Sequence, residues 1–187
     1  NTRGLTSPAN TTNITVNSPI TVAKGFSVTP LTAGADSLMT VRIGNNSAAA
    51  LTNVGLSDTT AGTRWPAALN NSGAIGAAQL DGCGAGATLV AGSGGKGFVL
   101  AGAEIAASGE CRIQFNVTAT TTGTHTNTLP SGAVSNDQGF TSPASAAPIE
   151  VRDNALTVAK AISPTTVAPG DVALFSVSVT SFSLTPQ

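Results

Sequence analysis

Lys24 stands where a strand pattern asks for an apolar side chain. In "ITVAKGFS", residues 20–27, alternation puts Ile20, Val22, Lys24 and Phe26 on one face, and three of those four belong in a core. Two other polar residues share the oddity. In "VGLSD", Val54, Leu56 and Asp58 fall on one face, and in "THTNTL", Asn127 and Leu129 do. A lone buried charge is costly. An amine, a carboxyl and a carboxamide turned inward from an early, a middle and the last strand would meet that cost through chemistry. Simpler roles stand beside this one: Lys24 snorkelling to solvent, Asp58 organising the turn at "TTAG", Asn127 as an ordinary strand residue, or a plain Lys24–Asp58 ion pair.

The remaining chemistry-bearing residues are sparse. Cys83 and Cys111 are an even pair in sequence that reads as secreted, and a disulfide is expected of them, the alternative being two small buried thiols. The single histidine, His125, has no partners at the spacing of a zinc site or a catalytic triad and reads as a strand polar residue. "GSGGKG" at 92–97 lacks the phosphate-loop spacing and is expected to be a flexible loop. Trp65 is the only tryptophan; exposed, it could stack on a sugar, and buried, it would cover an edge of the core. Asn10, Asn13, Asn45, Asn70 and Asn116 match the glycosylation pattern, as chance allows in a chain this rich in Ser and Thr. No acidic cluster resembles a calcium loop. The expectation is a protein that is not an enzyme and has no cofactor and no metal.

Composition constrains the elements that position these residues. Charged residues make up 9% and aromatics 4% of the 187 residues, with no tyrosine. Long helices built on Glu, Lys, Leu and Arg are therefore not expected, and the β-branched content favours strands. A net charge of −1 with eight scattered basic residues offers no footprint for nucleic acid or for an anionic membrane surface. No apolar run approaches the roughly 20 residues that cross a bilayer, and no N-terminal stretch has the basic-then-apolar pattern of a signal peptide.

The sequence also repeats itself. "GLTSPANTTNITV" at 4–16 matches "GFTSPASAAPIEV" at 139–151, and each precedes a lysine strand, the second being "LTVAKAIS" at 156–163. Lys24 and Lys160 are 136 residues apart, and at the same offset Met39, Val41 and Ile43 align with Phe175, Val177 and Val179. Residues 1–19 then read as the tail of one unit, 20–154 as a complete unit with its connector, and 155–187 as the start of a third. Such ends are expected of a piece of a longer repetitive polypeptide.

Within the complete unit, alternating runs predict strands at 20–28, 37–44, 51–58, weakly at 76–81, and at 96–101, 110–119 and 123–130. "CRIQFNV" turns Cys111, Ile113, Phe115 and Val117 inward, and "SLMTVRI" does the same with Met39, Val41 and Ile43. "TSPASAAPIEV" is expected to be an extended connector whose prolines blunt an edge. Seven short strands at this spacing predict an all-β, immunoglobulin-like β-sandwich in tandem repeats.

The succession "ITVAKGFS", "AGADSLMTVRIGNNSAAALTNVGLSD" and "GECRIQFNVTATTTGTHTNTLPSGAV" resembles bacterial tandem surface-repeat domains, the DUF-eleven-type Ig-like repeats of large secreted adhesins and stalk proteins. The resemblance implies a secreted or cell-surface, extracellular location and a structural role in a stalk, fibre or adhesin. Its partners would be neighbouring repeats of the same polypeptide and, in a filament, other copies. The order Lys, Asp, Asn is also similar to cell-surface Ig-like domains of the isopeptide type, in which a first-strand lysine attacks a last-strand asparagine amide assisted by a buried acid. That resemblance implies an autocatalytic bond between Lys24 and Asn127. Burial would free the amine, and a protonated Asp58 would polarise the Asn127 carbonyl and shuttle the proton as ammonia leaves. Two further functions remain in view: a ligand-binding adhesin module, and a filament subunit that exchanges strands between chains.

Overall fold

The computed structural model describes residues 18–59, 64–153 and 156–181. The leading copy of the repeated segment, residues 4–16, lies outside them. Twelve strands of the first part follow in chain order: β1 (Ile20–Phe26), β2 (Leu31–Thr32), β3 (Asp36–Asn45), β4 (Leu51–Thr59), β5 (Leu69–Ser72), β6 (Leu80–Asp81), β7 (Thr88–Ala91), β8 (Gly97–Ile105), β9 (Glu110–Ala119), β10 (Gly123–Leu129), β11 (Val134–Ser135) and β12 (Ser145–Arg152). They form an all-β sandwich. One sheet runs β1-β3-β9-β5 with β6 also on β9, a second runs β11-β4-β8-β7, and a short third runs β10-β12-β2.

Alternation explains how the layers close. In β9 the inward residues Cys111, Ile113, Phe115 and Val117 are buried, and in β3 so are Met39, Val41 and Ile43. These two strands pair antiparallel, with Met39 opposite Phe115, Val41 opposite Ile113 and Ile43 opposite Cys111. From the second sheet, Val54 and Leu56 of β4 and Phe98 and Leu100 of β8 complete the core. Phe98 meets Phe115 edge to face, with ring centroids 5.5 Å apart.

Cys83 and Cys111 form the expected disulfide. The local register brings them together. Leu80 pairs with Ile113 and Asp81 with Arg112, so the chain leaves β6 beside the start of β9.

The structure corrects several expectations. The weak strand near 76–81 is a single 3-10 turn, Ala77–Gln79, followed by the two residues of β6. The short strands β2, β5 and β7 and the two-residue β11 carry too little alternation to show in sequence. Most notably, the second half of the expected connector is β12, an integral strand. It pairs with β10 along its length and in parallel with β2 at Val151 and Arg152. Ala147, Ile149 and Val151 are buried on its inner face. Pro148 is tolerated because of where its nitrogen points. Two residues on, the Glu150 amide donates away from β10, to the Thr29 hydroxyl at 3.0 Å. Pro148 shares that flank, where no ladder requires an N–H.

Beyond residue 155 the chain forms an antiparallel hairpin of β13 (Leu156–Ser163) and β14 (Leu174–Ser181). Its register sets Lys160 opposite Val177 and Ile162 opposite Phe175. The β1–β3 register sets Lys24 opposite Val41 and Phe26 opposite Met39. Each pair in the hairpin is therefore the earlier pair moved by the same 136 positions.

Candidate functional site

The three inward polar residues meet. Lys24 Nζ donates to Asp58 Oδ2 at 2.8 Å, and both side chains are wholly enclosed. Asn127 Nδ2 donates to the other carboxylate oxygen, Asp58 Oδ1, at 3.0 Å. One carboxylate thus bridges the amine and the carboxamide.

Each strand delivers its residue by parity. Val54, Leu56 and Asp58 share the buried face of β4, and Asn127 and Leu129 share that of β10. Lys24 points inward from β1, an edge strand, which leaves its backbone partly exposed although its side chain is not. Asp58 is pinned by a close approach from β8. Gly97, opposite Thr59, has a φ of +77°, and a Cβ there would collide with the Asp58 carbonyl oxygen. Only glycine lets β4 and β8 approach this closely beside the carboxylate.

Burial pushes the Lys24 ammonium below the ordinary lysine range. The Asp58 charge and hydrogen bond oppose that effect, while the nearby Arg64 cation adds to it. The result is an amine closer to its neutral, nucleophilic form.

The carboxamide orientation is fixed by a second acceptor. Asn127 Nδ2 also donates to the Arg64 carbonyl at 3.0 Å, and a carbonyl can only accept. The amide nitrogen must face Arg64 and Asp58. Asn127 Oδ1 is therefore left buried and without a partner, one of two such side-chain atoms among the described residues. This corrects the expected geometry, in which Asp58 would touch the carbonyl oxygen. The acid stands against the nitrogen that would leave. The structure also moves Asn127 off the final strand, because β11 and β12 follow β10.

Arg64 has no signal in the sequence reading. It lies in "TRWPAAL", where Trp65 draws attention, and nothing in strand parity marks a backbone carbonyl as an acceptor. Trp65 itself is buried, stacks on Phe115 with centroids 6.1 Å apart, and donates its indole N–H to the Leu69 carbonyl. It is a core residue with no face free for a sugar.

The other candidates stand apart. His125 is half-buried on β10, with Nε2 2.8 Å from the Thr121 carbonyl oxygen. In 92–97, Ser93–Gly95 form a 3-10 turn and Lys96 Nζ reaches the Ala67 carbonyl. Asn45 is buried and spends its carboxamide on the Ala49, Ile105 and Ala106 carbonyls and on Ser47, so it cannot carry a glycan. Asn10 and Asn13 lie outside the described residues. Among the described residues there is no group of three His, Cys, Asp or Glu placed to hold a metal ion. No helix among them is long and apolar enough to cross a membrane.

Fold and site together define an all-β sandwich domain with a disulfide and a buried Lys–Asp–Asn cluster. Residues 19–151 match the family described as a domain of unknown function, DUF7933, and the chain belongs to it. The matched stretch holds Lys24, Asp58, Asn127 and both cysteines. No curated protein matches the chain.

Proposed function

We propose that this domain is a structural repeat of an extracellular bacterial stalk, fibre or adhesin, and that Lys24 and Asn127 join to form an intramolecular isopeptide bond. The observation that carries the cross-link is the enclosed carboxylate of Asp58 hydrogen-bonded to both reacting side chains. Charges are seldom enclosed in this way without a compensating role, because a buried ion pair adds little or nothing to stability over apolar residues of the same shape.

The reaction balances within these three groups. Asp58 takes a proton from the Lys24 ammonium to which it is bonded, leaving a neutral amine. The amine nitrogen attacks Asn127 Cγ, and the carbonyl π pair moves to Oδ1. As the carbonyl re-forms, the Cγ–Nδ2 bond breaks, and Asp58 gives its proton to Asn127 Nδ2, which lies 3.0 Å from Asp58 Oδ1. Ammonia leaves. Asp58 then accepts the surplus proton of the new Lys24–Asn127 amide. The link ties the edge strand β1 to β10 and lets the domain bear tension without shedding that edge.

The repeat reading is supported by the matching registers of β1–β3 and β13–β14. In the hairpin, Phe175, Val177 and Val179 are 60, 49 and 61% exposed, whereas Met39, Val41 and Ile43, their counterparts at the 136-residue offset, are fully buried. The same exposed face favours a second reading, a filament in which strands of another copy cover it. Electron microscopy separates fibres from single particles.

Intact mass under reducing and non-reducing conditions tests the cross-link. A chain lighter than its sequence by one ammonia, in addition to the two hydrogens of the disulfide, is expected; full mass after reduction refutes the bond.

A further inference from the structure

We infer that Arg64 is a positioning residue for this cross-link, holding the Asn127 nitrogen against Asp58 and fastening the β10 side of the site to β4. The inference rests on the cross-link reading above.

Three hydrogen bonds meet at this residue. Its carbonyl accepts from Asn127 Nδ2 at 3.0 Å and from the Thr128 amide at 3.1 Å. Its guanidinium donates through Nη1 to the Ser57 carbonyl at 2.9 Å, one residue before the acid. The next residue anchors the backbone, because the Trp65 amide donates to the Thr59 carbonyl and its ring is buried against Phe115. Arg64 therefore spans the gap between the strand that carries the acid and the strand that carries the carboxamide. Any residue at 64 keeps the carbonyl; what the arginine side chain adds is the bond to Ser57 that holds that carbonyl against Asn127.

The guanidinium also contributes a charge. The reacting state is the Lys24–Asp58 pair holding one proton between them, apart from the two other ammonium protons. It is lost to alkali when the ammonium loses its proton to solvent. A neighbouring cation disfavours the charged ammonium, so it moves the alkaline limb of the rate profile to lower pH. The charged groups facing Lys24 are Asp58 from β4 and Arg64. β3 sets Val41 opposite it, β10 contributes the neutral Asn127, and β12 turns Ala147, Ile149 and Val151 inward.

The test follows ammonia loss in time. The full chain is made by cell-free synthesis, collected in denaturant, refolded by dilution at a series of pH values, and read by intact mass, with Trp65 fluorescence reporting the folded fraction. Arg64→Gln keeps a donor for Ser57 and removes the charge; the alkaline limb is expected to move to higher pH. Arg64→Lys keeps the charge and the alkaline limb of the parent. Arg64→Ala loses the tether as well and slows by about tenfold or more at every pH, the cost of a small misplacement of reacting groups. Equal rates and an unmoved alkaline limb in Arg64→Gln and Arg64→Ala would overturn the role of Arg64 while leaving the cross-link intact. Equal movement of the alkaline limb in Arg64→Lys and Arg64→Gln would overturn the charge argument even if Arg64→Ala fails to fold. A parent chain that never loses ammonia overturns the cross-link and this inference with it.

Discussion

Replacing Lys24 by Met and Asp58 by Leu together separates a covalent link from an ion pair by the sign of the stability change. The double variant removes the nucleophile and the acid without stranding a charge. If the two residues form only a buried ion pair, apolar replacements of similar volume are neutral or stabilise by roughly 1–4 kcal/mol. If Lys24 is bonded to Asn127, the variant also releases a loop of 103 residues. Chain entropy assigns such a closure about 4.7 kcal/mol. The Cys83–Cys111 bond, spanning 28 residues, already shortens the path, to an effective loop of roughly 75 residues, which trims the figure by about 0.3 kcal/mol. Setting about 4.4 kcal/mol lost against 0–4 gained leaves a net loss between about 0.4 and 4.4 kcal/mol. With a urea slope of about 1–3 kcal/mol/M, a loss near the middle of that range lowers the midpoint by about 1 M. The assay is paired urea denaturation, with the disulfide intact, and intact mass on the same samples. A double variant as stable as the parent or more so, with both chains at full mass, refutes the reasoning.

Three further outcomes are expected. Changing Cys83 and Cys111 to Ala opens the 28-residue loop and lowers stability by about 3–4 kcal/mol, measured by denaturation against the oxidised parent. Gly97→Ala forces a side chain into the Asp58 carbonyl at a positive φ and should cost on the order of 3 kcal/mol; ammonia loss should slow with it, because β4 must shift at the acid. Asn127→Ala cannot cross-link and so shows the titration of Lys24. Its folded-state pKa is lowered, so the unfolded chain binds the proton more tightly, and stability rises with pH from the lowered value up to the ordinary lysine value of 10.5. Stability of that variant that falls across the same window contradicts the burial argument.

Period-two alternation is a local property, and the sequence by itself determined what depends on it. It placed β1, β3, β4, β9 and β10 to within a few residues and assigned their inward faces, including the inward turn of Lys24, Asp58 and Asn127. It failed where alternation is too short to read, as in β2 and β11, or hidden behind alanine and proline, as in β12, where the direction of the Pro148 nitrogen decides whether the residue fits. Only the tertiary structure decided which inward residues meet. Asp58 reaches Lys24 across 34 residues and Asn127 across 69, and those contacts follow from how the sheets are stacked. It also decided that the acid faces the amide nitrogen, because the acceptor that fixes the carboxamide is a backbone carbonyl, at Arg64. Every residue carries such a carbonyl, so no residue type announces it, and only the packed chain shows where it points.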